Sequence, residues 1–336
     1  MRGPLWHTGP PCPEDAAIAR TPAHRSAAMR IAAVLPAALS LAACAAAPAQ
    51  APTPEVETAP LFQARDYVGD GVFGEGIEGP ATGPGGVLYA VAFGRDGTIG
   101  QVVPAADGQG AATLFVELPA GSTGNGIRFG DDGAMYVADY SGHNVLRINP
   151  ATKAVAVFAH LPAAHQPNDI ARAPDGTLYA SDPDWKTGQG QLWRIGRDGR
   201  VDRLETAMGT TNGIEVSPDG TRLYVNESVQ RKVWTYDIGA DGGIAGKRLL
   251  LEFPDHGLDG MRSDADGNLY IARYGAGVVA VVSPQGQLLR EVRLKGQKPT
   301  NVAFGGADGR DVYVTLQDRG AIETFRADRP GREYGR

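Results

Sequence analysis

One phrase recurs six times between Glu78 and Val314: a polar residue, a short apolar strand, a Gly-containing turn, then a strand built on tyrosine. The tyrosine strands read Leu88-Tyr89-Ala90-Val91, Met135-Tyr136-Val137-Ala138, Leu178-Tyr179-Ala180-Ser181, Leu223-Tyr224-Val225-Asn226, Leu269-Tyr270-Ile271-Ala272 and Val312-Tyr313-Val314-Thr315. Their tyrosines are 47, 43, 45, 46 and 43 residues apart. A period of about 45 residues with several strand signals per unit marks a β-propeller, whose blades cannot bury their apolar faces alone. In the fourth unit the strands are expected at Ile214–Val216, after the turn Pro218-Asp219-Gly220 at Leu223–Asn226, then at Lys232–Asp237 and Arg248–Phe253. Four strands per unit and six units predict an all-β, six-bladed propeller of antiparallel blades over residues 61–331, around a central channel. Ring closure requires that no sheet edge stay exposed, so residues 65–73 are expected beside 321–326 in the last blade.

Composition agrees with many short strands: 46 Gly and 24 Pro in 336 residues, with only 7% aromatic. A net charge of −6, a pI near 5.6 and the lack of any Lys/Arg run argue against nucleic acid as a partner.

The stretch 29–44, Met-Arg-Ile-Ala-Ala-Val-Leu-Pro-Ala-Ala-Leu-Ser-Leu-Ala-Ala-Cys, has a basic start, an apolar middle and small residues ending on cysteine. It resembles a bacterial lipoprotein signal with Leu41-Ala42-Ala43-Cys44 as lipobox, and it is too short and Pro-interrupted for a span. The expectation is export to the periplasmic side of a bacterial membrane, with attachment through lipidated Cys44. Residues 1–28 read as a non-native or disordered extension ahead of a better start at Met29, and 45–60 as a flexible Pro/Ala tether. Cys12 and Cys44 are the only cysteines, so neither a disulfide nor a Cys-ligated zinc is available to the propeller.

Several motifs fail their context. Gly69-Asp70-Gly71-Val72-Phe73-Gly74 has the letters of a dinucleotide fingerprint but no helix can follow it, given Gly76, Gly79 and Pro80. No Gly-x-Ser-x-Gly occurs, and the six histidines lack metal-ligand spacing. What remains is the set of polar residues that open the units: Glu78, Asn125, Asn168, Asn212, Asp259 and Asn301. Asn125-Gly126, Asn212-Gly213 and Asp259-Gly260 also read as hairpin turns. Each unit, however, has a second turn signal six to eight residues on, at Asp132-Gly133, Asp219-Gly220 and Asp266-Gly267, and one tight hairpin cannot use both. The earlier residues therefore belong at the start of the innermost strands, facing the channel. Two carboxylates, Glu78 and Asp259, with two amides, Asn168 and Asn212, form an oxygen-only set suited to a hard divalent cation.

The motifs Glu78-Gly79-Pro80, Gln166-Pro167-Asn168-Asp169, Thr211-Asn212-Gly213-Ile214 and Leu258-Asp259-Gly260-Met261 resemble those of the SMP-30/gluconolactonase/LRE-like proteins, over residues 61–326. The resemblance implies a six-bladed propeller holding one divalent cation, calcium first, with magnesium, manganese or zinc as alternatives. Glu78, Asn212 and Asp259 match the family's metal ligands, and Asn168 matches an Asn that touches metal or substrate. The implied activity is hydrolysis of a sugar lactone, D-glucono-1,5-lactone being the usual assignment. Asp259 would be the general base, Asn168, Asn125 and Gln166 the substrate contacts, and Asp182, Asp184 or Trp185 would line the mouth. The alternatives are a non-catalytic binding propeller with a structural metal and a phosphotriesterase-like hydrolase. Two departures fall on the substrate side: Thr82 where an aromatic often follows the Glu-Gly-Pro motif, and Gln166 where animal members carry Arg.

Overall fold

The structure is a computed structural model and describes residues 60–334; the lipobox segment and nearly all of the tether lie outside the described residues. Twenty-four strands form six four-stranded antiparallel sheets, and the one helical element among the described residues is a single 3-10 turn at Pro84–Gly86. Five sheets are sequential. The sixth combines Pro299–Gly305, Asp311–Leu316 and Ala321–Arg326 with the first strand of the fold, Arg65–Val68, which pairs antiparallel with Ala321–Arg326. That pairing closes the ring as the edge argument required.

Six apolar clusters fill the six interfaces between neighbouring blades. Between blades 3 and 4, for example, Tyr179 and Leu192 meet Ile214, Val216, Leu223 and Val225. Side-chain alternation explains the repeated tyrosine. Leu178 and Ala180 face blade 2, whereas Tyr179 between them faces blade 4. In the same way Tyr89, Tyr136, Tyr224, Tyr270 and Tyr313 each pack toward the following blade, Tyr313 toward blade 1. Tyr270 meets Phe304 edge-on, with ring centroids 4.9 Å apart. Each blade thus supplies one large ring that its successor covers.

The tight turns fall at the later signals. Gly133, Gly220 and Gly267 have φ of 72°, 75° and 85°, and each donates its N–H back across the turn, to Gly130, Ser217 and Asp264. Gly126, Gly213 and Gly260 are not left-handed. The preceding Asn and Asp residues therefore lead into inner strands, as anticipated.

Truncating Tyr270, which is 1% exposed, removes a ring that spans blades 5 and 6. Tyr270→Ala is expected to lower unfolding stability by about 3–5 kcal/mol, the range for deleting a buried aromatic. Denaturant unfolding checks this; a loss below ~1 kcal/mol would mean that the inter-blade tyrosines are not the principal mortar.

Candidate metal centre at the channel mouth

The register defines which residues share a level around the channel. The residues paired with the position after each strand tyrosine are Ile127, Ile170, Ile214, Met261 and Val302. Two positions back stand Asn125, Asn168, Asn212, Asp259 and, in the last blade, Thr300. In the first blade Ala81 pairs with Tyr89, which puts Glu78 at this level. Inner strands of blades 2, 4 and 6 are irregular here, with one extra residue against their partners. A bulge of this kind turns a side chain out of the sheet.

The sixth residue of the predicted ring is thus corrected. Asn301 lies one residue deeper, and Thr300 takes the ring position but donates its hydroxyl to Ile77 O at 2.8 Å. The cause is the hairpin that follows: seven residues separate the paired Phe304 and Val312, against five between Phe129 and Met135 in blade 2, so the position that spacing assigned to Asn301 falls to Thr300.

Directly beneath the ring come Gly79, Gly126, Asp169, Gly213, Gly260 and Asn301. A Cβ on Gly79 would overlap Asn125 O, on Gly126 Asp169, on Gly213 Asp259 O, and on Gly260 the Asn301 carboxamide. Glycine is required at these four positions because a neighbouring strand, or the Asp169 and Asn301 side chains that fill the rest of the level, leaves no room for a Cβ. Backbone bonds cross between blades at the same height, from Gly126 N to Asn168 O at 2.9 Å and from Gly260 N to Thr300 O at 2.7 Å.

The ring residues carry the marks of an incomplete oxygen cage. Asn168, Asn212 and Asp259 are 5%, 3% and 8% exposed, and Glu78 is half-buried at the open side. Asp259 Oδ1, Asn212 Oδ1 and Asn125 Oδ1 are buried without any hydrogen-bond donor. Burial, and next the adjoining Glu78, push the Asp259 carboxyl well above the ordinary carboxylate range. Glu78 is pushed up to about 7, chiefly by burial and further by Asp169, against the hydrogen bond from Gly79 N. Orphaned buried acceptors beside two mutually repelling carboxylates call for positive charge, so these residues fit a hard divalent cation. No group of three or more His, Cys, Asp or Glu among the described residues forms a metal cluster; the donor set is two carboxylates plus amides.

At and beneath the glycine level runs an ion network that the motif reading did not include. Asp169, fully buried, accepts from Arg128 Nη1 at 3.3 Å and Arg262 Nη1 at 3.1 Å. Glu215, 1% exposed, accepts from Arg128 Nη2 at 3.3 Å and Ser263 Oγ at 3.0 Å, and pairs with Arg332. Asn301 joins the two levels: its amide donates to Glu78 Oε2 at 3.2 Å and Asp169 Oδ2 at 3.4 Å, while its carbonyl accepts from Arg262 Nη1 at 3.2 Å. A signal was present in the sequence, since Arg128, Glu215 and Arg262 each stand three residues after a ring residue in otherwise apolar strands.

The predicted mouth residues separate. Gln166, Asp184 and Trp185 line one cavity of ≈ 600 Å³ together with Tyr140 and His143. Asp182 does not line it. Fully buried, it accepts from His165 N at 2.9 Å, Gln191 Nε2 at 2.7 Å and Trp193 Nε1 at 2.8 Å, and also from Gln166 N. Its role is to pin the loop that leads into Asn168.

A closed propeller with an oxygen-lined mouth over a charged channel defines the class of protein. A family model, the SMP-30/Gluconolactonase/LRE-like region, matches residues 97–318, and the chain belongs to this family. The match begins after Glu78, whose place is given by blade register alone. A pentonolactonase of Haloferax volcanii is 35% identical over 132 residues, 38% of this chain and 45% of its own. A gluconolactonase of Zymomonas mobilis is 26% identical over 226 residues, 59% and 63% of the two chains. The aligned segments span less than two thirds of these curated relatives. The calcium-binding protein regucalcin of Agrobacterium tumefaciens shares the fold, with a TM-score of 0.68 at 21% identity over 81% of this chain and 98% of its own.

The raised carboxyls give a pH dependence of defined sign. In cation-free protein the folded state retains protons that the unfolded chain, with carboxylates near 4.5, releases. The associated stability is complete below that value and lost as pH rises through about 7. In chelator the melting temperature is expected to fall between pH 5 and 7.5. The fall should be smaller in Glu78→Gln/Asp259→Asn and offset by millimolar calcium, by about 2.7 kcal/mol at a hundred times Kd. An unchanged melting temperature with chelator or calcium at pH 7.5 would exclude the site.

Proposed function

We propose that this chain is a divalent-metal-dependent hydrolase of sugar lactones, with D-glucono-1,5-lactone as the first substrate to test. The observation that carries the reading is the set of donor-free buried oxygens on Asp259, Asn212 and Asn125 beside Glu78. Membership of the family, whose similar members include proteins named gluconolactonase and pentonolactonase, supports the reaction class.

Glu78, Asn168, Asn212 and Asp259 would hold the cation, calcium being favoured by an all-oxygen set. When bound, it polarises the lactone carbonyl and offsets the negative charge that grows on its oxygen. Asp259 has a buried, unpartnered Oδ1 and would take the proton from water as the water oxygen bonds to the acyl carbon. The ring C–O bond then breaks and the alkoxide takes up that proton, leaving an open-chain hydroxy acid. Asn168 and Asn125 would hold sugar hydroxyls on the rim of the mouth. Gln166, at the edge of the neighbouring cavity, would contact the far end of the substrate. Asn301 would hold Glu78 in place through its 3.2 Å hydrogen bond.

Asp259→Asn keeps the shape and an oxygen but removes the base and one negative charge. Lactone turnover is expected to fall at least about 100-fold, within the range of a lost general base, with the fold retained. A pH-indicator assay across a lactone panel, with and without added cations, measures it. Near-parental kcat in this variant would remove Asp259 from the mechanism, and absence of turnover under every cation would favour the binding-propeller alternative. Export and lipidation at Cys44 complete the reading on sequence grounds, and an unmodified Cys44 in the intact mass of membrane-extracted protein would refute them.

A further inference from the structure

A cavity of ≈ 690 Å³ opens at the end of the channel away from Glu78 and Asp259. It lies below the glycine level, between the ends of the inner strands and the turns after them, with Arg128, Glu215 and Arg262 in its floor. Val87, Val103, Phe129, Phe304 and Tyr313 give it apolar walls, and the last described residues, Gly331, Arg332, Glu333 and Tyr334, line one side.

The buried charges at this end do not balance. Arg128, Arg262 and Arg332 are 2%, 7% and 5% exposed, and they face Asp169 and Glu215, at 0% and 1%. Three buried guanidiniums face two buried carboxylates, and the third charge is met only at the rim, by the part-exposed Glu333. Arg262 Nη2 and Arg128 Nε are buried with no hydrogen-bond partner. Burial first, and then the neighbouring Arg262, lower Arg128 to about 10, against Asp169 and Glu215. On the cavity side a further carboxylate is Glu333, whose side chain is 42% exposed and lies 3.3 Å from Arg332 Nη2. Although burial opposes it, Arg332, Arg128, Arg262 and Arg172 hold the Glu333 carboxyl below its usual range, so the positive field extends to the rim. Buried guanidinium N–H groups without acceptors are costly, and a guanidinium fork matches a carboxylate.

We propose that this cavity is a second ligand site, for a small carboxylate with an apolar or aromatic body, anchored at the Arg262 guanidinium and partly mimicked by Glu333. The anion would supply the missing acceptor while its body replaces water against the apolar walls. This site is separate from the channel mouth and stands whether or not the lactonase reading holds.

Benzoate is the probe, titrated calorimetrically into the calcium-loaded full-length protein, with benzyl alcohol as its uncharged counterpart. Saturable benzoate binding is expected, with benzyl alcohol at least about 10-fold weaker, the loss of a charge-assisted pair. Val103→Trp, which fills the cavity from a strand outside both charge networks, should weaken benzoate by about 10-fold or more and leave unfolding and basal activity unchanged. Glu333→Gln removes the competing carboxylate and should tighten binding several-fold. Asp259→Asn should leave benzoate affinity unaltered. No benzoate binding, equal affinity for the alcohol, indifference to Val103→Trp, or a loss confined to Asp259→Asn would each overturn the proposal, the last by placing the anion at the mouth.

Discussion

Six inner strands can converge on one axis only where almost nothing projects from them, and the level of Gly79, Gly126, Gly213 and Gly260 meets that condition. A side chain at any of the four would overlap a neighbouring strand or the Asp169 and Asn301 side chains that occupy the space. Cross-blade bonds from Gly126 and Gly260 use the same close approach. The glycine level therefore brings the ring residues above it to the mouth and seals the charged residues below it from that mouth. It depends in turn on closure of the ring by Arg65–Val68 against Ala321–Arg326, without which the last blade would present an open edge.

Charge changes sign along the channel. At the mouth, Glu78 and Asp259 face each other with too few donors, and their carboxyls are raised accordingly. Three residues deeper, Arg128 and Arg262 outnumber the acid they share. Asn301 stands between, donating upward to Glu78 and accepting from Arg262 below. A neutral amide can satisfy both ends because it presents a donor to one and an acceptor to the other. The orientation of Glu78 is thereby tied to the network under it, so a change at Arg262 would be felt at the mouth without touching it.

Outside the channel, two acids of one short segment have opposite duties. Asp182 is spent on holding the loop before Asn168, with its oxygens taken by backbone N–H groups, Gln191 and Trp193. Asp184, two residues on, caps its own turn through Thr187 and faces the cavity beside Trp185. Strand alternation would place both on one face. The difference arises because Trp193 and Gln191 on the adjacent strand reach Asp182 alone.

The number of blades, the strand order, the closing strand and four channel-mouth oxygens were legible in the chain, because a repeat of fixed length and a two-residue side-chain period are properties of sequence. Tyrosine at each second strand encoded the inter-blade packing, and Asp219-Gly220 and its equivalents encoded the turns. Only the assembled ring decided that Thr300 rather than Asn301 shares the level of Asp259, since a hairpin two residues longer than that of blade 2 shifts the count without altering the motif. It also decided that Arg128, Asp169, Glu215, Arg262 and Arg332, spread over some two hundred residues, form one buried network. Their charges look like ordinary strand residues in isolation. Meaning comes to them from the axis, where blades distant in sequence meet at hydrogen-bond distance and water is excluded.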